Sequence, residues 1–213
     1  MRTQLILTTA ALGLAGAIGA QAQVYSVNAV GYINVTLQAK KFAMVANQLN
    51  TGGNTIAEVI PTAKDGTIVY KYVRNANGTG GYASSGFEFG EWSDKTLTLP
   101  PGAGFFVYNG DAAAQTITFV GEVPQGTLTT ALGAGLNQVA SQVPQAGLLQ
   151  TVLGYPAADG DIVYQFDAAT QNYKPSSVEF GSWSPAEPAV AVAEGLFVNK
   201  AVAGSWTRTF SVN

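Results

Sequence analysis

Hydrophobic and polar positions alternate with a period of two along residues 67–73, Thr-Ile-Val-Tyr-Lys-Tyr-Val. Ile68, Tyr70 and Tyr72 fall on one face and Val69, Lys71 and Val73 on the other, the signature of a β-strand. The same alternation returns as Ile162, Tyr164 and Phe166 against Val163 and Gln165. Aromatic and β-branched side chains suit a pleated surface. "GFFVYN" (104–109) and "TITFV" (116–120) read as further short strands bounded by Gly, Pro and Asn. Asp65-Gly66 and Asp159-Gly160 mark turns. One helical signal interrupts the strands. Thr55 and Glu58 have capping-box spacing, and Pro61 stops the helix within a turn or two.

The patterns occur twice and in the same order. "VANQL" (45–49) answers "VASQV" (139–143), and "DGTIVYKY" (65–72) answers "DGDIVYQF" (159–166), both at an offset of 94 residues. Tyr82 answers Tyr173, "EFGEWS" (88–93) answers "EFGSWS" (179–184), "GFFV" (104–107) answers "GLFV" (195–198) and "TITF" (116–119) answers "TRTF" (207–210), all at an offset of 91. One three-residue deletion in the loop "RNANGTGG" reconciles the offsets. A period this long exceeds that of solenoid repeats. The expectation is an all-β fold of two tandem homologous domains. Each is a β-sandwich or open barrel with at most one short helix. The boundaries fall at 23–119 and 120–213.

The ends carry a partial third copy. "YSVN" (25–28) resembles the terminal "FSVN" (210–213), and "AVGYINVTL" (29–37) resembles "FVGEVPQGTL" (119–128). Either both termini supply outer strands, or the "YSVN" of one chain adds to the edge of a neighbour.

Residues 1–22 are set apart from the fold. Arg2, an apolar run and Ala20-Gln21-Ala22 form the pattern of a secretory signal peptide cleaved after Ala22. The run falls short of the roughly 20 residues of a membrane span. Export with no cysteine leaves no disulfides, so packing must supply the stability. Charged residues make up 11% of the chain, with 13 acidic against 10 basic. That is below the roughly 25% of an average soluble domain. An acidic, weakly charged surface disfavours nucleic acid and offers nothing electrostatic to an anionic membrane.

Histidine is absent, which removes His-dependent triads and imidazole zinc sites. There is no Cys nucleophile, and no phosphate or dinucleotide loop occurs. Carboxylate pairs drawn from Glu88, Glu91 and Asp94, or from Asp159, Asp161 and Glu179, leave a glycoside hydrolase as a distant third reading. Glu91 becomes Ser182 and Asp94 becomes Pro185 in the second copy, which argues against it. Asp159-Gly160-Asp161 reads as a turn before a calcium loop. No metal or cofactor is expected. Asn34-Val35-Thr36 and Asn77-Gly78-Thr79 are glycosylation triplets.

Two sets of residues are candidates for contact. Trp92, Trp183, Tyr82 and Tyr173 are kept in both copies, which points to structural roles, with Trp and Phe filling a core. Sugar stacking on the tryptophans is the alternative. Trp206 and Arg208 replace Gln115 and Ile117 of the first copy. They are either an amphipathic outer strand or a partner or glycan contact, where Trp and Arg are enriched.

The succession of V-A-N-Q-L, V-Y-K-Y, G-x-W, L-x-P-G-x-G-F-F-V-Y-N and T-I-T-F-V-G resembles a family of uncharacterised, exported bacterial β-modules. Their later element commonly reads L-x-P-G-x-G-Y-W-V. Phe105-Phe106 and Leu196-Phe197 stand at that aromatic pair, while "AVAEG" (191–195) has lost the Pro-Gly. The resemblance implies export, a β-fold and a surface or accessory role, and carries no catalytic residues. The expected function is a secreted or cell-surface, non-enzymatic structural or adhesive protein. Its expected partner is itself or a cell-surface polysaccharide, and a carbohydrate-binding module is the alternative.

Overall fold

The alternating segments become strands. The computed structural model describes residues 29–75 and 78–212, so the leader (1–22), the "YSVN" motif, Asn77 and Asn213 lie outside the described residues. The first half holds β1 (Val30–Leu37), β2 (Phe42–Ala46), the single-turn helix α1 (Ile56–Val59), β3 (Thr67–Arg74), β4 (Gly80–Glu88), β5 (Glu91–Trp92), β6 (Gly104–Tyr108) and β7 (Gln115–Glu122). The second holds β8 (Gly126–Leu132), β9 (Gly135–Val139), β10 (Gly147–Leu148), β11 (Ile162–Asp167), β12 (Asn172–Glu179), β13 (Ser182–Ser184), β14 (Ala189–Val190), β15 (Leu196–Lys200) and β16 (Gly204–Phe210).

The two halves share one topology. The first has a five-stranded antiparallel sheet in the order β2-β6-β3-β4-β5, and the second has one in the order β9-β15-β11-β12-β13. A two-stranded ribbon lies over each sheet, β1 with β7 and β8 with β16. The chain is therefore all-β and built of tandem β-modules. The N-terminal strand β1 completes the first ribbon and the C-terminal strand β16 the second.

Between ribbon and sheet lies each core. In the first, Ile33, Leu37, Ile117 and Phe119 of the ribbon meet Val45, Val69, Phe87, Trp92, Phe105 and Val107 of the sheet. α1 adds Ile56 and Val59 to it. The Thr55 N–H donates to the Glu58 carboxylate at 3.2 Å, as the capping-box spacing requires. The second half makes only a turn there, with Val152 N–H donating to Leu148 O at 3.0 Å. Its core joins Leu132 and Trp206 of the ribbon to Val139, Val163, Leu196 and Val198, with Leu149, Leu153 and Tyr155.

The other face of each five-stranded sheet meets the other sheet. Met44, Tyr70, Tyr72 and Phe106 from the first half pack with Leu136, Tyr164, Phe166 and Phe197 from the second. Ring, backbone and glycine contacts across this seam occur in pairs with the roles exchanged. Phe106 meets Phe166 at 5.0 Å between ring centroids, and Tyr72 meets Phe197 at 5.7 Å. Ala46 N–H donates to Ala193 O at 2.9 Å, and Ala140 N–H donates to Gly102 O at 3.0 Å. A Cβ on Gly104 would stand 2.9 Å from Val139 O, and one on Gly195 would stand 2.6 Å from Val45 O. Only glycine permits that approach of backbones. An approximate two-fold axis thus relates the halves, and the seam is an isologous interface within one chain.

Candidate functional surface

The repeated hexapeptide closes equivalent hairpins. β4 and β5 are joined by Phe89-Gly90, with φ of 54° and 79°. β12 and β13 are joined by Phe180-Gly181, with φ of 51° and 73°. Two successive positive φ angles make the primed turn that matches strand twist, where Asn-Gly is usual. Phenylalanine in the left-handed region costs of order 1–3 kcal/mol. Phe89 is nonetheless 93% exposed and Phe180 96%. The expectation that both phenylalanines fill a core is corrected: the turn aims them into solvent. Below the tips the expectation holds better. Trp92 is buried against Phe87, ring centroids 5.1 Å apart, and donates from Nε1 to Ile60 O at 2.7 Å. Trp183 is half-buried and donates from Nε1 to Gln150 Oε1 at 2.7 Å.

Two troughs flank the seam. The first, about 580 Å³, is lined by Phe42, Tyr70, Tyr82, Phe106, Phe166 and Gln171. The second, about 440 Å³, is lined by Leu136, Tyr164, Tyr173, Phe197 and Asn199, with Tyr82 shared. Phe42, Tyr70, Tyr82 and Phe106 of the first answer Leu136, Tyr164, Tyr173 and Phe197 of the second. These are one trough repeated by the two-fold. Tyr82 and Tyr173 are 52% and 45% exposed, so they wall the troughs instead of filling a core. Partial burial raises both phenol pKa values, and for Tyr82 the neighbouring Tyr173 and Tyr72 add to this.

The loop carrying the length difference between the copies walls one side of the first trough. Gln171 accepts from Phe42 N–H at 3.0 Å and donates to Phe42 O at 2.9 Å. Asp167 holds that loop. It pairs with Lys174 at 2.6 Å and accepts from the Ala169 and Thr170 N–H groups. Lys174 first, and then those amides, bring its carboxyl down to about 2.

Trp206 and Arg208 sit on the ribbon face that looks inward. Trp206 is 4% exposed, stacks edge-on to Tyr155 at 5.5 Å and donates from Nε1 to Leu153 O at 2.9 Å. It therefore offers no face to a glycan or partner and is a core residue. Arg208 is half-buried, with its guanidinium 5.8 Å from the Phe210 ring and donating to Gln145 Oε1. Trp206→Phe is expected to cost about 1–3 kcal/mol by orphaning the Leu153 carbonyl, read as a lowered urea midpoint.

Four of the six carboxylates of the sequence patterns, Glu91, Asp94, Asp159 and Asp161, serve turns and ion pairs. Glu91 pairs with Lys95 at 3.1 Å, Asp94 accepts from Thr96, and Asp159 accepts from Gly181 N–H at 2.7 Å. Asp161 is fully buried with both oxygens engaged, by Tyr155, Ala158, Lys200 and Ala201. Among the described residues no cluster of three or more potential metal-ligating side chains occurs. No helix among them is long and apolar enough to cross a membrane. Comparison with known protein families, with curated proteins and with solved structures finds no match.

Proposed function

We propose that this chain is a secreted or cell-surface, non-enzymatic structural or adhesive protein that makes its contacts through the two hairpin tips. The observation that carries this reading is the pair Phe89 and Phe180, each held in a left-handed turn and each exposed. The fold gains nothing from them there, since Asn would close the same turn without strain. A large ring kept at such a position in both halves makes sense as an anchor for something outside the chain. The leader segment and the resemblance to exported bacterial β-modules point the same way.

The test is the double variant Phe89→Asn/Phe180→Asn. Relief of strain is expected to raise stability by about 1 kcal/mol per site, read as a higher thermal midpoint. Retention of the labelled protein on the envelope of the producing cells is expected to fall. Undiminished retention of the variant would remove the reading.

A carbohydrate-binding role is the second reading, favoured by the half-exposed Tyr82 and Tyr173 beside the amides of Gln171 and Asn199. It requires saturable quenching of intrinsic fluorescence by a polysaccharide, lost in Tyr82→Ala/Tyr173→Ala.

A further inference from the structure

We infer that each aromatic trough receives the hairpin-tip phenylalanine of a second copy of this chain, so that copies join tip to trough. This rests on the tips being contact points, and it names their partner.

Three observations converge on that occupant. The first is number: the chain carries two equivalent tips and two equivalent troughs, each pair related by the same two-fold. The second is chemistry. The troughs are walled by Phe and Tyr rings and not by charged groups. Aromatic edges and faces favour the insertion of another ring. The third is charge. Glu88 precedes Phe89 and Glu179 precedes Phe180, while Glu91 is paired with Lys95. On the trough side, Lys41 adjoins Phe42 and bonds only a neutral carbonyl, Ala169 O at 2.5 Å. Lys174 beside Tyr173 is already paired with Asp167 at 2.6 Å, so the cation left for a tip is Lys41 at the first trough. An acidic tip therefore meets Lys41 at the first trough, an arrangement that steers and orients docking. The low charge of the chain sets little repulsion against the approach of copies.

The consequence is geometric. Tip and trough are different surfaces, so the contact is heterologous, and a heterologous contact that does not close into a ring propagates into a filament or layer. Two tips and two troughs let each copy engage up to four neighbours.

The experiment compares the secreted full-length protein with two variants, by sedimentation velocity over a concentration series and by electron microscopy. The tip variant is Phe89→Asn/Phe180→Asn, which the turn accommodates. The trough variant is Tyr82→Glu/Tyr173→Glu, which places like charge opposite the tip acids. Tyr82→Ser/Tyr173→Ser replaces it if melting shows the Glu version unfolded. Wild type is expected to form concentration-dependent assemblies. Each variant alone is expected to be at least about tenfold weaker in self-association. Mixing the two variants, one with intact troughs and the other with intact tips, is expected to restore pairing. A wild type that stays monomeric across the series overturns the inference. So does a trough variant that assembles like wild type, or a mixture that fails to pair. In those cases the contact role of the tips survives if the tip variant still loses retention on cells. A tip variant that assembles and is retained like wild type overturns both.

Discussion

Lys200→Met is expected to lower the unfolding free energy by about 3–5 kcal/mol, the cost of stranding a buried charge. The charge stranded is Asp161. Its carboxylate accepts from Lys200 Nζ at 2.5 Å and from Tyr155 OH, Ala158 N–H and Ala201 N–H, each at 3.0 Å. Lys200 is itself buried, donates also to Pro156 O at 3.0 Å, and lies 5.2 Å from the Tyr155 ring centroid. Burial first, and then the Asp161 charge, push the Tyr155 phenol far above its ordinary range, so it stays a donor through alkaline pH. Removing the ammonium leaves three neutral donors around an anion sealed from water.

The first half shows that the fold does not need ions at this place. Thr67 and Asn109 stand where Asp161 and Lys200 stand, and Gln115 Nε2 reaches Thr67 Oγ1 and Asn109 Oδ1, each at 2.8 Å. A neutral network thus does in one copy what an ion pair does in the other. It follows that Asp161→Asn/Lys200→Met, which removes both charges, should recover more than half of the loss of Lys200→Met alone. Urea unfolding of the three proteins measures this. A Lys200→Met midpoint shifted by under about 1 kcal/mol equivalent would mean that water reaches Asp161 and that the pair is worth no more than a surface one.

The duplication and the strand pattern were legible because alternation and turn chemistry are local. What alternation cannot say is what covers each face. Tyr70 and Tyr72 visibly share a face, but nothing local reveals that the other module, not water, lies over it. Retention in both copies misled at Phe89 and Phe180. A residue is kept for a core or for a contact alike, and only the turn geometry separates the two. The signal was present, since a two-residue loop ending in Gly between a β-strand and a Trp implies positive φ at the residue before it. At Trp206 the sequence left two readings open. Of an outer-strand and a contact role for this copy-specific indole, burial leaves the structural one. Trp92 donates to the carbonyl of Ile60 in the first half, whereas in the second Trp183 turns to Gln150 and Trp206 donates to the carbonyl of Leu153.

Phe105 and Phe106 are consecutive on β6 and point to opposite faces, which makes them a controlled comparison. Phe105→Ala opens a cavity in the first core, where its ring meets Phe119 at 6.3 Å. Phe106→Ala opens one in the seam, where its ring meets Phe166 at 5.0 Å and both Phe42 and Phe197 at 6.2 Å. Each is expected to cost about 3–5 kcal/mol, but the cost falls on different equilibria. Loss of Phe105 destabilises the first half while leaving its coupling to the second intact, so a single cooperative transition moves down in temperature. Loss of Phe106 weakens the coupling itself, and calorimetry is expected to resolve two transitions. The two-fold makes a second demand. Phe197→Ala should split the transition in the same way, because Phe197 holds the equivalent place against Tyr72 at 5.7 Å. Phe106 and Phe197 also touch each other, so the double variant should fall short of the summed losses by about 0.5–3 kcal/mol. Identical single transitions for Phe105→Ala and Phe106→Ala would show that seam and core unfold as one unit, and the two modules would then be halves of a single cooperative domain.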